Sequence, residues 1–155
     1  MAETRVHPTA EAFSNSTDVY ERCRPGFPGA AVEFIWKETG LGEEREEPFR
    51  VVDLACGTGK LTRQLEERTR VAPERFDLCG VEPAPGMRDK FAEVLPGTRC
   101  LDGTGDKMPF FGDEEIDVLC VAQGMADSST HNRRRKEILV YPLSLLLLVV
   151  FLLTF

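Results

Sequence analysis

The string Val51-Val-Asp-Leu-Ala-Cys-Gly-Thr-Gly-Lys-Leu-Thr62 is where chemistry is most legible in this chain. A β-branched run ends in Asp53, a turn of small residues follows, and a helix-like pattern opens behind it. Side chains larger than those of Ala55, Gly57 or Gly59 would hold a ligand away from this backbone, and glycine adopts dihedrals that other residues avoid. Cys56 and Thr58 complete the turn. The free N–H groups at a helix start favour an anionic group.

Three nucleotide-type ligands compete for such a turn. A phosphate-cradling loop needs GxxxxGK followed by Ser or Thr, but Gly59-Lys60 is followed by Leu61, and Leu54 stands where the first glycine belongs. A dinucleotide fingerprint, GxGxxG or GxGxxA, would end on Thr62 or on Lys60, which weakens a nicotinamide oxidoreductase. S-adenosylmethionine has no pyrophosphate and does not need that last glycine. Leu78-Cys-Gly-Val-Glu-Pro83 then places Glu82 at the tip of a second strand, about twenty residues past the turn, where an acid can accept hydrogen bonds from ribose hydroxyls. Taken alone, Glu82 reads better as a surface carboxylate at a strand end; coupled to the glycine turn at this spacing, it reads as the ribose acceptor.

These residues need a scaffold, and the surrounding pattern supplies one. Arg50–Leu54, Leu78–Val81, Cys100-Leu101 and Ile116–Val121 read as short strands, the last apolar enough for the interior of a parallel sheet. Between them Leu61 and Leu65 recur at helical spacing, and Met87, Phe91 and Val94 fall at i, i+4 and i+7. Alternating strands and helices predict an α/β layer fold with right-handed crossovers. Two further helices are expected around 10–21 and 30–38, with an acidic loop from Leu41 to Pro48 before the first strand.

With the pattern in place, Asp53–Gly59 resembles the first motif of class I S-adenosylmethionine-dependent methyltransferases, and Gly80-Val-Glu-Pro83 resembles their second. Gly103-Thr-Gly-Asp-Lys-Met-Pro-Phe110 is similar to their GxAExLPF stretch, and Asp117–Gln123 to the strand after it. Phe13 and Tyr20-Glu-Arg-Cys-Arg-Pro-Gly-Phe-Pro28 resemble a lead-in of small-molecule methyltransferases of the type 11 and trans-aconitate-like kind. The resemblance runs from Phe13 to Gln123. It implies a Rossmann-like sheet of which the chain holds the first four strands. The backbone from Ala55 through Cys56, Gly57 and Thr58 to Gly59 would hold the methionine end of the cofactor, with Asp53 supporting the turn or the amino group. Glu82, followed by Pro83, would take the ribose. Met87 would lie against the adenine or pack in the core. Thr104 and Gly105 would meet the adenine edge, and Gln123 would face the transferred methyl. Ala55 replaces the first glycine of the usual pattern, and Thr104 stands where many relatives have Asp. The implied partner is a small-molecule methyl acceptor. Methyl transfer from a sulfonium is an in-line displacement, so positioning carries much of the catalysis, and no general base stands out. His7 and His131 lie outside the matched stretch, and Tyr20 reads as helix packing or as a border of the substrate site.

The 155 residues leave room for one domain, and a net charge of -7 disfavours a nucleic-acid backbone as partner. The five cysteines form no CxxC pair and read as buried thiols in a reducing compartment rather than as a metal site. No basic-then-apolar leader precedes the body, so a cytoplasmic protein is the default. Four segments are expected: a helical lead-in (1–49), a partial methyltransferase domain (50–123), a polar and basic linker (124–137) and an apolar tail (138–155). The family's AQAF-type continuation, KPGG turn and later strands are missing after Val121-Ala-Gln123, which leaves the fourth strand as a bare apolar edge. As a helix, 138–155 would reach about 27 Å at about 1.5 Å per residue, near the lower limit for a membrane span. Arg133–Lys136 would then stay cytosolic. Equally, Gly124-Met125 can be encoded GGT-ATG, which contains GTATG, an intron start, so the tail also reads as unspliced sequence. The expected function is methyl transfer to a small molecule by an impaired, truncated chain, with a membrane-anchored module that binds cofactor or partner without turnover as the alternative.

Overall fold

A computed structural model describes residues 17–23, 25–105, 108, 111, 116–122, 136–140 and 150–151. In chain order the elements are α1 (Thr17–Cys23), α2 (Gly29–Thr39), β1 (Phe49–Leu54), α3 (Lys60–Thr69), a 3-10 turn (Pro73–Arg75), β2 (Phe76–Val81), α4 (Pro85–Val94), β3 (Arg99–Leu101), β4 (Val118–Ala122), β5 (Lys136–Val140) and β6 (Val150–Phe151). The strands form one sheet in the order β3-β2-β1-β4-β5-β6. β1 to β5 run parallel, and β6 pairs antiparallel with β5.

The sheet grows outward from β1 to β3, then restarts on the other side of β1 with β4. That reversal opens a crevice at the carboxyl ends of β1 and β4, the place where open α/β sheets bind ligands. The four strands expected from the sequence are present within two residues at each end. Of the early helices, 30–38 corresponds to α2, and 10–21 is described only from Thr17.

Side-chain alternation sorts the core into two layers. Phe49, Val51, Val118 and Cys120 face Val32 and Ile35 of α2 and Leu61 and Leu65 of α3. Val52, Leu54, Cys79, Val81, Leu119 and Val121 face the other way, closed partly by Ile116, Met108 and Phe111. Ile35 and Phe91 are fully buried and Leu61 and Leu65 nearly so. Each such side chain stabilises the fold by about 1.5–3 kcal/mol relative to exposure. α3 keeps Leu61, Thr62, Leu65 and Thr69 inward, closes an i,i+4 pair between Glu66 and Arg70, and stops ahead of Pro73. α4 opens on Pro85, whose missing N–H costs nothing at a first helical position.

The apolar tail departs from expectation. Ile138, Leu139 and Val140 lie in β5 rather than in a helix, and Val150-Phe151 forms β6. β5 pairs in register with all of β4, Val118 to Lys136 through Ala122 to Val140, so β4 is an interior strand and not a bare edge. The physical reason is the strand edge itself. A buried apolar strand leaves a row of N–H and C=O groups that need partners, and aliphatic residues rich in β-branching suit the pairing. Among the described residues no helix is long and apolar enough to cross a membrane.

Candidate functional site

β1 delivers Asp53 to the crevice and ends at Leu54; the chain then turns sharply into α3. Ala55 (φ 55), Gly57 (φ 58) and Gly59 (φ 85) all sit in the left-handed region. Ala55 pays for that conformation with a Cβ close to the following carbonyl. The turn is tied by the Cys56 N–H to the Val81 carbonyl (3.3 Å) and by the Gly59 N–H to the Cys56 carbonyl (2.9 Å).

Glu82 closes the turn from the neighbouring strand. One carboxylate oxygen accepts the Gly57 N–H at 3.0 Å and the other accepts the Ala84 N–H at 2.9 Å. Burial pushes its carboxyl upward, opposed by those two N–H groups and by Arg88. Arg88 also donates at 2.8 Å to the Glu82 and Pro83 carbonyls, which fixes the strand exit.

Asp53 is 1% exposed. Its Oδ2 accepts the Thr62 hydroxyl at 2.6 Å, whereas Oδ1 is buried without a hydrogen-bond partner among the described residues. Burial drives its carboxyl up to about 7, against the pull of Thr62 and with a contribution from the Glu82 charge. An orphaned carboxylate oxygen is costly unless a donor arrives.

That donor has an approach. Asp53, Ala55, Cys56, Gly57, Thr58, Lys60 and Leu61 line a cavity of about 50 Å³, roofed by Pro25 and Phe27 and bordered by Ala122 at the end of β4. The volume suits one end of a ligand rather than a whole nucleoside. The roof is held by Gln64, whose amide oxygen accepts the Phe27 N–H at 2.9 Å and whose amide nitrogen donates to the Phe27 carbonyl at 2.7 Å. Glu21 of α1 reaches the same turn. It accepts the Thr58 hydroxyl at 2.5 Å, and its carboxylate lies 3.3 Å from both Lys60 and Arg63. Burial raises the Glu21 carboxyl, but Thr58, Lys60 and Arg63 outweigh it and leave the group below its usual value.

The structure therefore brings together Asp53, Ala55, Cys56, Gly57, Thr58 and Gly59 in one turn, with Glu82 hydrogen-bonded to it. Met87 is 4% exposed on the inner side of α4 and does not line the cavity. Thr104 and Gly105 are half-buried and also stand outside the cavity; a Cβ at Gly105 would lie 3.4 Å from Leu54 at the end of β1. Gln123 lies outside the described residues, as do His7, His131 and the side chain of Tyr20. Glu21, Pro25, Phe27, Lys60 and Gln64 were not singled out by spacing. Two signals bore on four of them: Glu21, Pro25 and Phe27 belong to the Tyr20–Pro28 lead-in, and Lys60 follows the last glycine of the turn.

The methyltransferase-domain family matches residues 52–139. Uncharacterized methyltransferases of Mycobacterium bovis and Mycobacterium tuberculosis are 35% identical to this chain over 112 residues, which is 72% of this chain and 40% of each of those proteins. The chain thus spans well under half the length of these relatives. A Methanococcus maripaludis protein assigned as an S-adenosyl-L-methionine-dependent methyltransferase superposes with a TM-score of 0.55 at 12% identity, covering 91% of this chain and 67% of that one. Geranyl diphosphate C-methyltransferase from Streptomyces coelicolor superposes with a TM-score of 0.54 at 14% identity, over 72% of this chain and 43% of that one. At such identities the superpositions speak for the fold alone. The family match, the glycine turn and the strand order agree: the chain belongs to the class I S-adenosylmethionine-dependent methyltransferases, a family whose methyl donor is S-adenosylmethionine.

Proposed function

We propose that this chain binds S-adenosylmethionine at the carboxyl ends of β1 and β2 as the donor half of a small-molecule methyltransferase. The observation that carries the reading is Asp53 Oδ1, a buried acceptor without a partner among the described residues, in an aspartate that borders a cavity over the glycine turn. The ammonium of the cofactor's amino-acid end supplies the missing donor. Glu82 uses one N–H per carboxylate oxygen and keeps lone pairs for the two ribose hydroxyls. Gly57 offers open space for a close approach, since a Cβ there would meet nothing within 4 Å among the described residues. Met87, Thr104, Gly105 and Gln123 remain proposed neighbours of the adenine and the methyl group.

When bound, the cofactor supplies an activated methyl on a sulfonium. The chain's own contribution is to hold the donor's amino-acid end on Asp53 and its ribose on Glu82, so that the methyl faces the acceptor side of the crevice. Because the displacement is in-line, correct placement replaces the need for a dedicated base unless the acceptor itself carries a proton to lose.

Titration calorimetry with S-adenosylhomocysteine tests the assignment. Glu82→Ala should weaken binding by at least about tenfold, the scale of losing hydrogen bonds to a charged group. Unchanged affinity in that variant would overturn the ribose role. Preference for a nicotinamide dinucleotide would overturn the cofactor assignment.

A further inference from the structure

Two cysteines far apart in sequence meet beneath the cofactor turn. The sulfurs of Cys56, in the turn, and Cys100, on β3, lie 3.7 Å apart. β2 runs between their parent strands, so the contact needs a gap in that strand, and Gly80 provides it. Gly80 pairs in register with both Asp53 and Cys100, and a Cβ on Gly80 would stand 2.6 Å from the Cys56 sulfur. A side chain at 80 would collide with the Cys56 sulfur where it meets Cys100. The remaining cysteines do not compete. Cys79 points into the opposite layer of the sheet, Cys120 is buried among the residues under α2 and α3, and Cys23 is exposed on α1.

Closing the pair would bring the sulfurs from 3.7 Å to about 2.05 Å. β3 is held by its ladder to β2, and Arg99 is paired with Asp77, so the turn is the softer side. Cys56 moves with Gly57, whose N–H is the tie to Glu82.

We propose that Cys56 and Cys100 form a redox-sensitive modification site: a low-molecular-weight disulfide oxidises them to an intramolecular disulfide, which displaces the glycine turn and weakens the cofactor site. The last step rests on the cofactor reading above. The balance is that of two thiol–disulfide exchanges. The Cys100 sulfur attacks the external disulfide and releases one small thiol. The Cys56 sulfur then attacks the mixed disulfide at Cys100 and releases the second small thiol. The two protons leaving the protein thiols end on the two released thiols, and the external disulfide is reduced by two electrons. The Cys100 sulfur and burial together favour the protonated Cys56 thiol, which slows it as a first nucleophile and leaves it the second, intramolecular step, where proximity offsets a low thiolate fraction.

The test incubates the whole chain with glutathione disulfide, then maps peptides by mass spectrometry and follows amide exchange at Gly57 and S-adenosylhomocysteine affinity by calorimetry. The expected result is a Cys56–Cys100 linked peptide, faster exchange at Gly57, and affinity lowered by at least about tenfold, the scale of a lost hydrogen bond to a charged group. Dithiothreitol should reverse all of these. In Cys100→Ser and Cys100→Ala the oxidant should produce no such linkage and leave Gly57 exchange and affinity unchanged, and either variant suffices if the other folds poorly. Absence of the linked peptide, or its formation with Gly57 exchange and affinity unchanged, would overturn the proposal. Reduced protein that ignores S-adenosylhomocysteine, yet still forms the linkage and changes its Gly57 exchange, would leave the dithiol site standing and sink the cofactor reading instead.

Discussion

Gly57 and Gly59 stand two residues apart in one turn, both with positive φ, yet they meet different surroundings. Among the described residues a Cβ on Gly57 would meet nothing within 4 Å, whereas one on Gly59 would lie 2.7 Å from Leu95 and 2.8 Å from Phe91. Gly57 faces the crevice and Gly59 faces the underside of α4. The motif is therefore two requirements in sequence. Its first half leaves backbone open to a ligand, and its second half lets the turn into α3 lie against Phe91 and Leu95 at the end of α4. Gly80 extends the packing side, because a Cβ there would also press within 3.0 Å of Phe91.

Substitution by alanine should split these roles. Gly59→Ala combines a left-handed alanine, costing about 1–2 kcal/mol, with overpacking that costs roughly 1–3 kcal/mol. Its urea midpoint should fall furthest of all the variants considered. Gly57→Ala carries only the backbone term, about 1–2 kcal/mol, less the roughly 0.5 kcal/mol that a stiffer unfolded chain returns. It should remain folded while losing S-adenosylhomocysteine affinity, because the new methyl occupies the space a ligand needs. Equal destabilisation by the two alanines would erase the distinction between the faces. Full affinity in folded Gly57→Ala would show that the open face is not where the cofactor lies.

The same division marks what could be read in advance. Strands β1 to β4 were legible because each is a short apolar run bounded by turn residues, and Glu82 because it ends a strand just beyond the turn. The place of Asp53 near the end of β1, ahead of the turn, was legible, but not the contrast between its two oxygens, which depends on Thr62 reaching back from α3. Met87 was read as cofactor contact or core, and its burial places it inside without deciding what the adenine meets. The hold of Glu21 on Thr58, Lys60 and Arg63 was not legible, since it joins residues 37 to 42 apart through tertiary placement alone. The described parts of the tail, 138–140 and 150–151, were misread as helix because an aliphatic run has no period to separate a helix from a buried strand. Its partner, the edge of β4, decided the matter.

Asp53 and Glu82 offer a finer contrast on the ligand side. Both carboxyls are raised by burial, but Glu82 has N–H donors on both oxygens and Asp53 has an unpartnered one. In the folded chain Asp53 holds its proton up to about 7, above its ordinary value of 3.8. Since the folded state binds that proton more tightly than the unfolded state, its contribution to stability declines as pH rises from 3.8 to about 7 and is level beyond. Binding a cation beside Asp53 favours the ionised form and therefore expels the proton below that pH. S-adenosylhomocysteine affinity should rise with pH by up to about tenfold per unit below 7 and flatten above it. Asp53→Asn should bind weakly with a shallower profile. A wild-type affinity independent of pH would mean that the ammonium does not sit on Asp53.

The smallest expected effect comes from Ala55, the one non-glycine residue with positive φ among the described residues. Its Cβ costs about 1 kcal/mol in the left-handed region, while a glycine there would lose roughly 0.5 kcal/mol through the freer unfolded chain. Ala55→Gly should thus gain about 0.5 kcal/mol in urea unfolding, the balance of those two terms. Ala55 lines the cavity beside Asp53, so the variant also enlarges the ligand side by one methyl. Stabilisation with unchanged S-adenosylhomocysteine affinity would assign Ala55 to backbone strain alone. Weaker binding in the more stable protein would mean that the methyl touches the ligand, and that the strain at residue 55 is retained because it shapes the cofactor-facing half of the turn.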